Sequence, residues 1–221
     1  HHSDATPLCQ KKFYKIQAVL PLIHRTDKPL MDLILASTSP YRKQLLQRLA
    51  IPFRCESPET DETPLPGESP TALASRLASA KAASVAARFP QALVLGSDQV
   101  ASIDGTCIGK PENHENAALQ LRASSGHRVS FYTGLSLMSE ATGLKLETME
   151  TVTVTFRTLS ETEIQSYLQQ ERPYDCAGSF KCEGLGISLF ERITGDDPTS
   201  LEGLPLIATS RLLREAGLAC P

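Results

Sequence analysis

Residues Leu33-Ile34-Leu35-Ala36 form an apolar run that meets Ser37-Thr38-Ser39-Pro40 and continues as Tyr41-Arg42-Lys43-Gln44-Leu45-Leu46. The order reads as a short buried strand, a hydroxyl-rich turn and a helix that starts on Pro40. Proline suits the first helical position, where its missing N–H leaves no bond unmade, and Ser39 just before it supplies an N-cap oxygen. A helix opened in this way presents free backbone N–H groups and the positive end of its dipole. Here two cations, Arg42 and Lys43, lie in the same turn. The combination suits an anion, phosphate above all.

The chain has 221 residues, enough for one or two domains with a sizeable core. Its hydrophobic share of 41% and charged share of 21% are ordinary for a globular protein. The net charge of −3 argues against a general binder of nucleic acid polymers. The absence of Trp argues against a stacking platform for single strands. The six cysteines, at positions 9, 55, 107, 176, 182 and 220, form no C-x-x-C pair. They read as small core residues of a protein in the reducing cytoplasm rather than as zinc ligands. The apolar run from Ala18 to Ile23 is too short to cross a membrane. His1-His2 reads as the end of an affinity tag, residues 1–30 as tag remnant and extension, and residues 31–221 as a single domain with Met31 at its start.

Along that domain, Ile51 to Cys55 reads as a short strand, followed by an acidic, Pro-rich loop from Glu59 to Gly67. Ser69-Pro70 caps an Ala-rich helix running to about Arg88, with an apolar stripe at Leu73, Leu77, Ala80, Ser84 and Val85. Arg76 and Lys81 fall at the edge of that stripe, where long cations either snorkel to water or reach into a cleft. Ala92 to Leu95 is a fully apolar strand that runs at once into Gly96-Ser97-Asp98-Gln99. Asp104-Gly105 between apolar runs predicts a two-residue hairpin turn with Ile103 facing Thr106. Extended further, that register sets Gln99 opposite Lys110 and brings Asp98 beside Lys110. Helices are expected over Glu115–Ala123, after the capping box Ser160-Glu161-Thr162-Glu163, and over Leu206–Ala216. Strands are expected over Phe131–Met138 and Leu146–Arg157. Asp175 to Gly186 reads as a loop of small residues.

Taken singly, these features have ordinary explanations: a capped junction, a cross-strand ion pair, a solvated acidic loop. Taken together they outline a site. Arg42, Lys81 and Lys110 could hold a polyphosphate, with a hydrogen bond from Ser37 or Ser39. Glu62 and Asp98 could hold Mg²⁺, which takes carboxylates together with phosphate oxygens. Asp98 could also orient or deprotonate a water for attack on phosphorus. Such chemistry asks mainly for positioning and charge neutralisation. The G-x-x-x-x-G-K-[ST], H-E-x-x-H and G-x-S-x-G patterns of other chemistries are missing from the sequence.

Six segments resemble the Maf-like nucleoside triphosphate pyrophosphatases: Leu35 to Arg42, Asp61 to Pro64, Arg76 to Ala82, Gly96 to Gln99, Gly109 to Pro111 and Ala177 to Gly184. They occur in order from about Met31 almost to the C-terminus. The resemblance implies an α/β fold with a long mixed β-sheet flanked by helices, two lobes and a central nucleotide-binding cleft, of the Maf/inosine triphosphate pyrophosphatase kind. It implies hydrolysis of a nucleoside triphosphate to the monophosphate and pyrophosphate with a divalent metal, Mg²⁺ or Mn²⁺. It makes Asp98 the catalytic proton acceptor and assigns phosphate and metal contacts to Ser37, Arg42, Glu62, Lys81 and Lys110.

Gln99, Glu183 and the Phe180-Lys181 pair resemble the branch acting on 7-methyl-GTP, with Tyr41 standing where that branch commonly carries Trp. A carboxylate at Glu183 can accept from the guanine N1–H and N2–H₂, and the positive charge of the methylated ring favours an aromatic face and a nearby anion. The resemblance therefore implies a cytoplasmic 7-methyl-GTP pyrophosphatase with a small-molecule nucleotide substrate, no nucleic acid polymer or membrane partner, and a homodimer as an open state. The alternatives are the same reaction on UTP, dTTP or another modified nucleotide, and a non-enzymatic, nucleotide-responsive regulator of septum formation.

Overall fold

The computed structural model describes residues 32–220, so the expected tag remnant and extension over 1–30, with Cys9 and the Met31 start, lie outside the described residues. Strand β1 (Leu33–Ala36) is buried throughout, as an all-apolar strand inside a sheet should be. Helix α1 (Pro40–Gln47) follows the expected turn, with Pro40 leading and the Ser39 hydroxyl accepting from the Arg42 N–H. Strand β2 (Arg54–Glu56) begins later than the apolar Ile51-Pro52-Phe53 run suggests, because the ladder to β1 starts at Arg54 opposite Ile34.

Helix α2 (Pro70–Ala86) carries its buried stripe on Leu73, Ala74, Leu77, Ala78, Lys81, Ala82, Val85 and Ala86. The expected stripe is thus corrected in phase: Ala80 and Ser84 are only half-buried, and Lys81 sits within the stripe rather than at its edge. Strand β3 (Leu93–Ile103) turns through Asp104-Gly105 into β4 (Thr106–Ile108), both turn residues having positive φ, 48° and 82°. Then come α3 (His114–Ser124), the long hairpin β5 (Arg128–Ser139) and β6 (Leu144–Phe156), and α4 (Glu161–Glu171), which opens with the full capping box. Strand β7 (Phe190–Thr194), which the sequence pattern does not reveal, and α5 (Leu206–Glu215) complete the order.

The sheet runs β2-β1-β3-β5-β6-β7, with β4 attached to β3. β1 is parallel to both of its neighbours and the remaining pairs are antiparallel, so the sheet is mixed, as expected. No described helix is long and apolar enough to cross a membrane.

Two large apolar cores share the long strands. Leu93 and Leu95 of β3 pack with Leu33, Leu35, Leu135 and Leu137 in one core. Ala101, farther along β3, packs with Phe131, Val152, Val154 and Phe156 in the other. Asp98 and Gln99 lie on the stretch of β3 between them, where the strand leaves one core for the next.

Helix α2 lies unusually close to this stretch. A Cβ added at Gly96 would fall 2.3 Å from the Ala78 carbonyl oxygen, and one at Gly134 would fall 2.5 Å from that of Ala74. Only glycine in the sheet and alanine in the helix permit that approach.

Among the five described cysteines, Cys55 and Cys107 are exposed and Cys176, Cys182 and Cys220 are half-buried. The expectation of core cysteines is thus corrected: the apolar cores are filled by Leu, Ala, Val and Phe, and the cysteines fall on loops, short edge elements and the chain end.

Candidate active site

A cleft of about 900 Å³ opens over the middle of β3, lined by Ser37, Tyr41, Arg42, Glu62, Lys81, Asp98, Gln99, Lys110, Phe180 and Glu183, whereas Lys43, exposed on α1, and Lys181 do not line it. The turn after β1 supplies Ser37, which is buried and accepts from the Ser39 N–H at 3.1 Å, leaving its own proton to donate. Helix α1 supplies Tyr41 and Arg42. The Arg42 Nε donates to the Gly203 carbonyl at 3.0 Å, while its terminal nitrogens have no partner among the described residues. Burial lowers the Arg42 pKa from its ordinary value, against the opposing pull of Asp98 and Glu62. The terminal N–H groups of Arg42 are thus the donors left for an anionic ligand.

Lys81 organises the acidic pair. Its side chain is 7% exposed, and its amine lies 2.6 Å from Asp98 Oδ1 and 2.7 Å from Glu62 Oε1. One ammonium therefore bridges the strand carboxylate and the loop carboxylate. Burial pushes the Glu62 carboxyl up, but Lys81, then Lys110 and Arg42, outweigh it and hold the group below its ordinary value. Glu62 reaches the cleft because its loop is pinned. Arg76 binds Glu68 at 2.6 and 2.8 Å and the Thr63 carbonyl at 3.1 Å, and the Asp61 carboxylate accepts from the Thr63 N–H. Arg76 thus anchors the acidic loop and does not line the cleft, and Asp61 turns into its own loop.

The expected pairing of Asp98 with Lys110 is not found. The β3–β4 register begins as expected, with Ile103 opposite Thr106, but pairing ends at Ala101 and Ile108. Gly109 and Lys110 leave the ladder, and Lys110 is exposed on the rim. Asp98 instead lies opposite Gly134 of β5 and beneath α2, where Lys81 meets it.

A second group of side chains lines the same cleft. Gln99 Nε2 donates to Thr133 Oγ1 at 2.9 Å and to the Ser200 carbonyl at 2.7 Å. A carbonyl can only accept, so the amide orientation is fixed and Gln99 Oε1 is the atom left for a ligand. Tyr41 donates to Asp175 Oδ2 at 3.2 Å, and Lys181 lies 3.9 Å from the same carboxylate and 6.0 Å from the Tyr41 ring centre. Phe180 is buried edge-on among Phe131, Phe156 and Phe190, with ring centres 4.8–5.7 Å apart, and so fastens the 175–186 loop to the core. Tyr167 accepts from the Lys181 N–H and Glu171 from the Leu185 N–H, both from α4. Glu183 is carried exposed on this loop. Burial pushes the Cys176 and Cys182 thiols, also on the loop, up to about 12, which leaves them unreactive at neutral pH.

Among the described residues no cluster of three or more His, Cys, Asp or Glu could hold a metal on its own. Glu62 and Asp98, both within reach of one ammonium, are an oxygen donor pair. That number fits Mg²⁺, which is held by one or two carboxylates with substrate phosphates completing its shell.

Residues 32–216 match the model of a family described as Maf-like protein. The chain belongs to the Maf-like family. It is 53% identical over 194 residues to a Polaromonas sp. protein named 7-methyl-GTP pyrophosphatase, covering 88% of this chain and 87% of that one. It is 57% identical over 189 residues to a protein of the same name from Xanthomonas axonopodis pv. citri, covering 86% of this chain and 98% of that one. The solved Staphylococcus aureus Ham1 protein aligns at TM-score 0.42 and 14% identity, covering 57% of this chain and 71% of that one.

Several groups of this Maf-like cleft escape sequence reasoning. Gly203 and Ser200 act through backbone carbonyls, which carry no side-chain signal. Thr133 is one of several hydroxyl residues in β5, with Ser130, Ser136 and Ser139, and nothing local singles it out. Asp175 differs from other loop acids only by its position beside Tyr41. The Asp-Pro-Thr-Ser run at 197–200 does announce a turn. Nothing local shows that this Maf-like turn faces Arg42 and Gln99.

Proposed function

We propose that the protein is a cytoplasmic 7-methyl-GTP pyrophosphatase that converts 7-methyl-GTP to 7-methyl-GMP and pyrophosphate, with residues 31–221 as its one catalytic domain. The observation that carries this reading is the bridge of Lys81 between Asp98 and Glu62 in the wall of the cleft that Arg42 also lines. Such a site offers cations for a triphosphate, a carboxylate for a water proton and a carboxylate pair for a divalent ion. The names of the two relatives, each more than half identical, support the same reaction and base.

In this reading Asp98 orients a water and takes its proton as the oxygen bonds to the α-phosphorus. The bond from the α-phosphorus to the bridging oxygen breaks, and pyrophosphate departs with the electron pair. Arg42, Lys81 and Lys110 neutralise the charge on the leaving group, and Ser37 donates to a phosphate oxygen. Glu62 and Asp98 would hold the divalent metal, Mg²⁺ or Mn²⁺, which when bound supplies further charge neutralisation at the phosphate oxygens. Gln99 Oε1 and the Glu183 carboxylate accept from the donor edge of guanine, and Tyr41 with the acids around it receives the cationic ring.

The test is pyrophosphate release with Mg²⁺ across GTP, 7-methyl-GTP, UTP and dTTP, comparing the wild type with Asp98→Asn. Release that is fastest from 7-methyl-GTP and lost in the variant is the expected result. Binding without release from any nucleotide would overturn the enzyme and leave a nucleotide-responsive regulator. Equal rates on GTP and its 7-methyl form, or a preference for UTP or dTTP, would overturn the base assignment alone.

A further inference from the structure

One loop holds two groups that the cleft uses at once. The Ser200 carbonyl accepts from Gln99 at 2.7 Å, and the Gly203 carbonyl accepts from Arg42 Nε at 3.0 Å. Ser97 Oγ donates to the same Gly203 carbonyl at 3.4 Å. A single short peptide thus fixes both the base-side amide and the phosphate-side guanidinium. Neither carbonyl belongs to a strand. They sit at the two ends of a single 3-10 turn, Ser200–Glu202, closed by Gly203 at φ 106°. Such turns are weak alone and need support from outside.

Asp197 provides the support. It is 3% exposed and has no cation within salt-bridge distance among the described residues. Its Oδ1 accepts from the Thr199 N–H at 2.9 Å and from the Thr199 hydroxyl at 2.7 Å, and its Oδ2 accepts from the Ile207 N–H at 2.6 Å. Thr199 Oγ1 in turn accepts from the Leu206 N–H at 2.8 Å. The Asp197 carbonyl accepts from the Ser200 N–H that begins the turn. These bonds tie the turn to the start of α5, where Pro205 offers no side-chain cap. Helix α5 is fixed in turn by Leu206, Leu212 and Leu213 in the apolar core.

We propose that Asp197, through Thr199 and the Ser200 and Gly203 carbonyls, is a positioning residue that sets Arg42 and Gln99 jointly, so that phosphate binding and base choice are coupled through one loop. The inference rests on the pyrophosphatase reading. It goes beyond it by predicting that the two contacts fail together when the loop is loosened at Asp197 or Thr199, neither of which bonds to Gln99 or Arg42.

The chemistry of the three acceptor bonds shows how to loosen it. Asparagine keeps one acceptor oxygen and turns an N–H₂ toward N–H or O–H donors that Asp197 satisfies. Thr199→Val keeps the side-chain shape and removes the hydroxyl that links Asp197 to Leu206. Thr199→Ser keeps the link.

The experiment measures kcat and KM for 7-methyl-GTP and GTP with Mg²⁺ in the full chain, for wild type, Asp197→Asn, Thr199→Val and Thr199→Ser, with melting followed by circular dichroism. The loop variants are expected to lower kcat/KM for 7-methyl-GTP about tenfold or more, since small misplacements of binding groups have effects of that order. KM should rise and the ratio of 7-methyl-GTP to GTP should narrow, with Thr199→Ser close to wild type. In a Gln99→Ala background the same loop variants should leave the ratio unchanged, the non-additivity expected of coupled residues. If Asp197→Asn does not fold, Thr199→Val carries the test. Wild-type KM and ratio in folded Thr199→Val, or equal narrowing with and without Gln99, would overturn the coupling alone. A wild type that releases no pyrophosphate would overturn the pyrophosphatase reading, and the coupling with it.

Discussion

The Lys81 amine lies 2.6 Å from Asp98 Oδ1, with both side chains at most 10% exposed. The contact exists because α2 rests on glycines of the sheet, which brings a helix lysine down to a strand carboxylate. Removing the aspartate charge leaves Lys81 its second partner, Glu62, so the wall of the cleft keeps one ion pair. Asp98→Asn is therefore expected to retain a cooperative fold while losing turnover by about 100-fold or more, the scale of a lost general base. Steady-state pyrophosphate release and a thermal melt on the same preparation check both halves.

Removing the lysine has the opposite balance. Lys81→Met strands a buried Asp98 charge, and breaking a buried pair in this way costs about 3 kcal/mol. A divalent cation can replace the missing ammonium between Asp98 and Glu62. Denaturant midpoints of Lys81→Met are expected to fall without Mg²⁺ and to recover in part with it, whereas the wild-type midpoint should shift less. A midpoint for the variant that ignores Mg²⁺ would argue against the two carboxylates as a metal pair.

The glycines that admit α2 make a separate prediction. At Gly96 a methyl group would meet the Ala78 oxygen at 2.3 Å and the Ala82 nitrogen at 2.7 Å, both backbone atoms that cannot swing aside. Gly96→Ala must push the helix outward, at a cost of about 1–3 kcal/mol or more for overpacking. Since Lys81 rides on that helix, the variant should lose activity beyond what its remaining folded fraction explains. Activity per folded molecule, with the folded fraction taken from circular dichroism, separates the two effects.

How far such relationships can be read from sequence depends on their range. The turn after β1, the Asp104-Gly105 hairpin and the Ser160 capping box are legible because each rests on neighbours within a few residues, and each occurs as expected. The phase of the α2 stripe is less so, because alanines are apolar on every face and packing alone selects Ala74, Ala78 and Ala82. The partner of Asp98 is illegible for a related reason. Extending the hairpin nominates Lys110, but the strand leaves its ladder at Ile108, and the sheet glycines give the place to Lys81. β7 stays hidden because its residues are mostly exposed and its identity depends on pairing with β6. The Arg42 contact with Gly203 spans 161 positions and ends on a carbonyl, so no residue pattern encodes it.

The capping box yields a prediction in pH. Glu163 is held by the Ser160 N–H, then by the Ser160 hydroxyl and Arg157, which bring its carboxyl from the ordinary 4.5 down to about 2. A folded carboxyl below its ordinary value contributes stability above about pH 4.5, and the contribution fades as pH falls toward about 2. Glu163→Ala should therefore melt below the wild type at pH 7, with the gap holding down to about pH 4.5 and narrowing from there toward about pH 2. A gap that is constant across that range would mean the carboxylate charge plays no part in the cap.

The last prediction concerns the base. Gln99 spends both amide protons on Thr133 and Ser200, so in the proposed reaction it would meet the nucleotide as an acceptor through Oε1. Glu183, on the 175–186 loop, is likewise acceptor-only when ionised. Two acceptors facing one ligand select a base edge rich in N–H groups, which guanine presents through N1 and N2, and a carboxylate adds attraction for the positive ring of its 7-methyl form. Glu183→Ala removes a charged acceptor whose hydrogen bonds are worth about 1.5–3 kcal/mol, roughly tenfold or more in affinity. Because Asp98, Lys81 and Arg42 are untouched, kcat with saturating nucleotide should change little while KM for 7-methyl-GTP rises. Glu183→Gln, which keeps an acceptor but loses the charge, should cost 7-methyl-GTP more than GTP. If Glu183→Gln weakened both nucleotides equally, charge would have no part in the preference and the base would be chosen by shape.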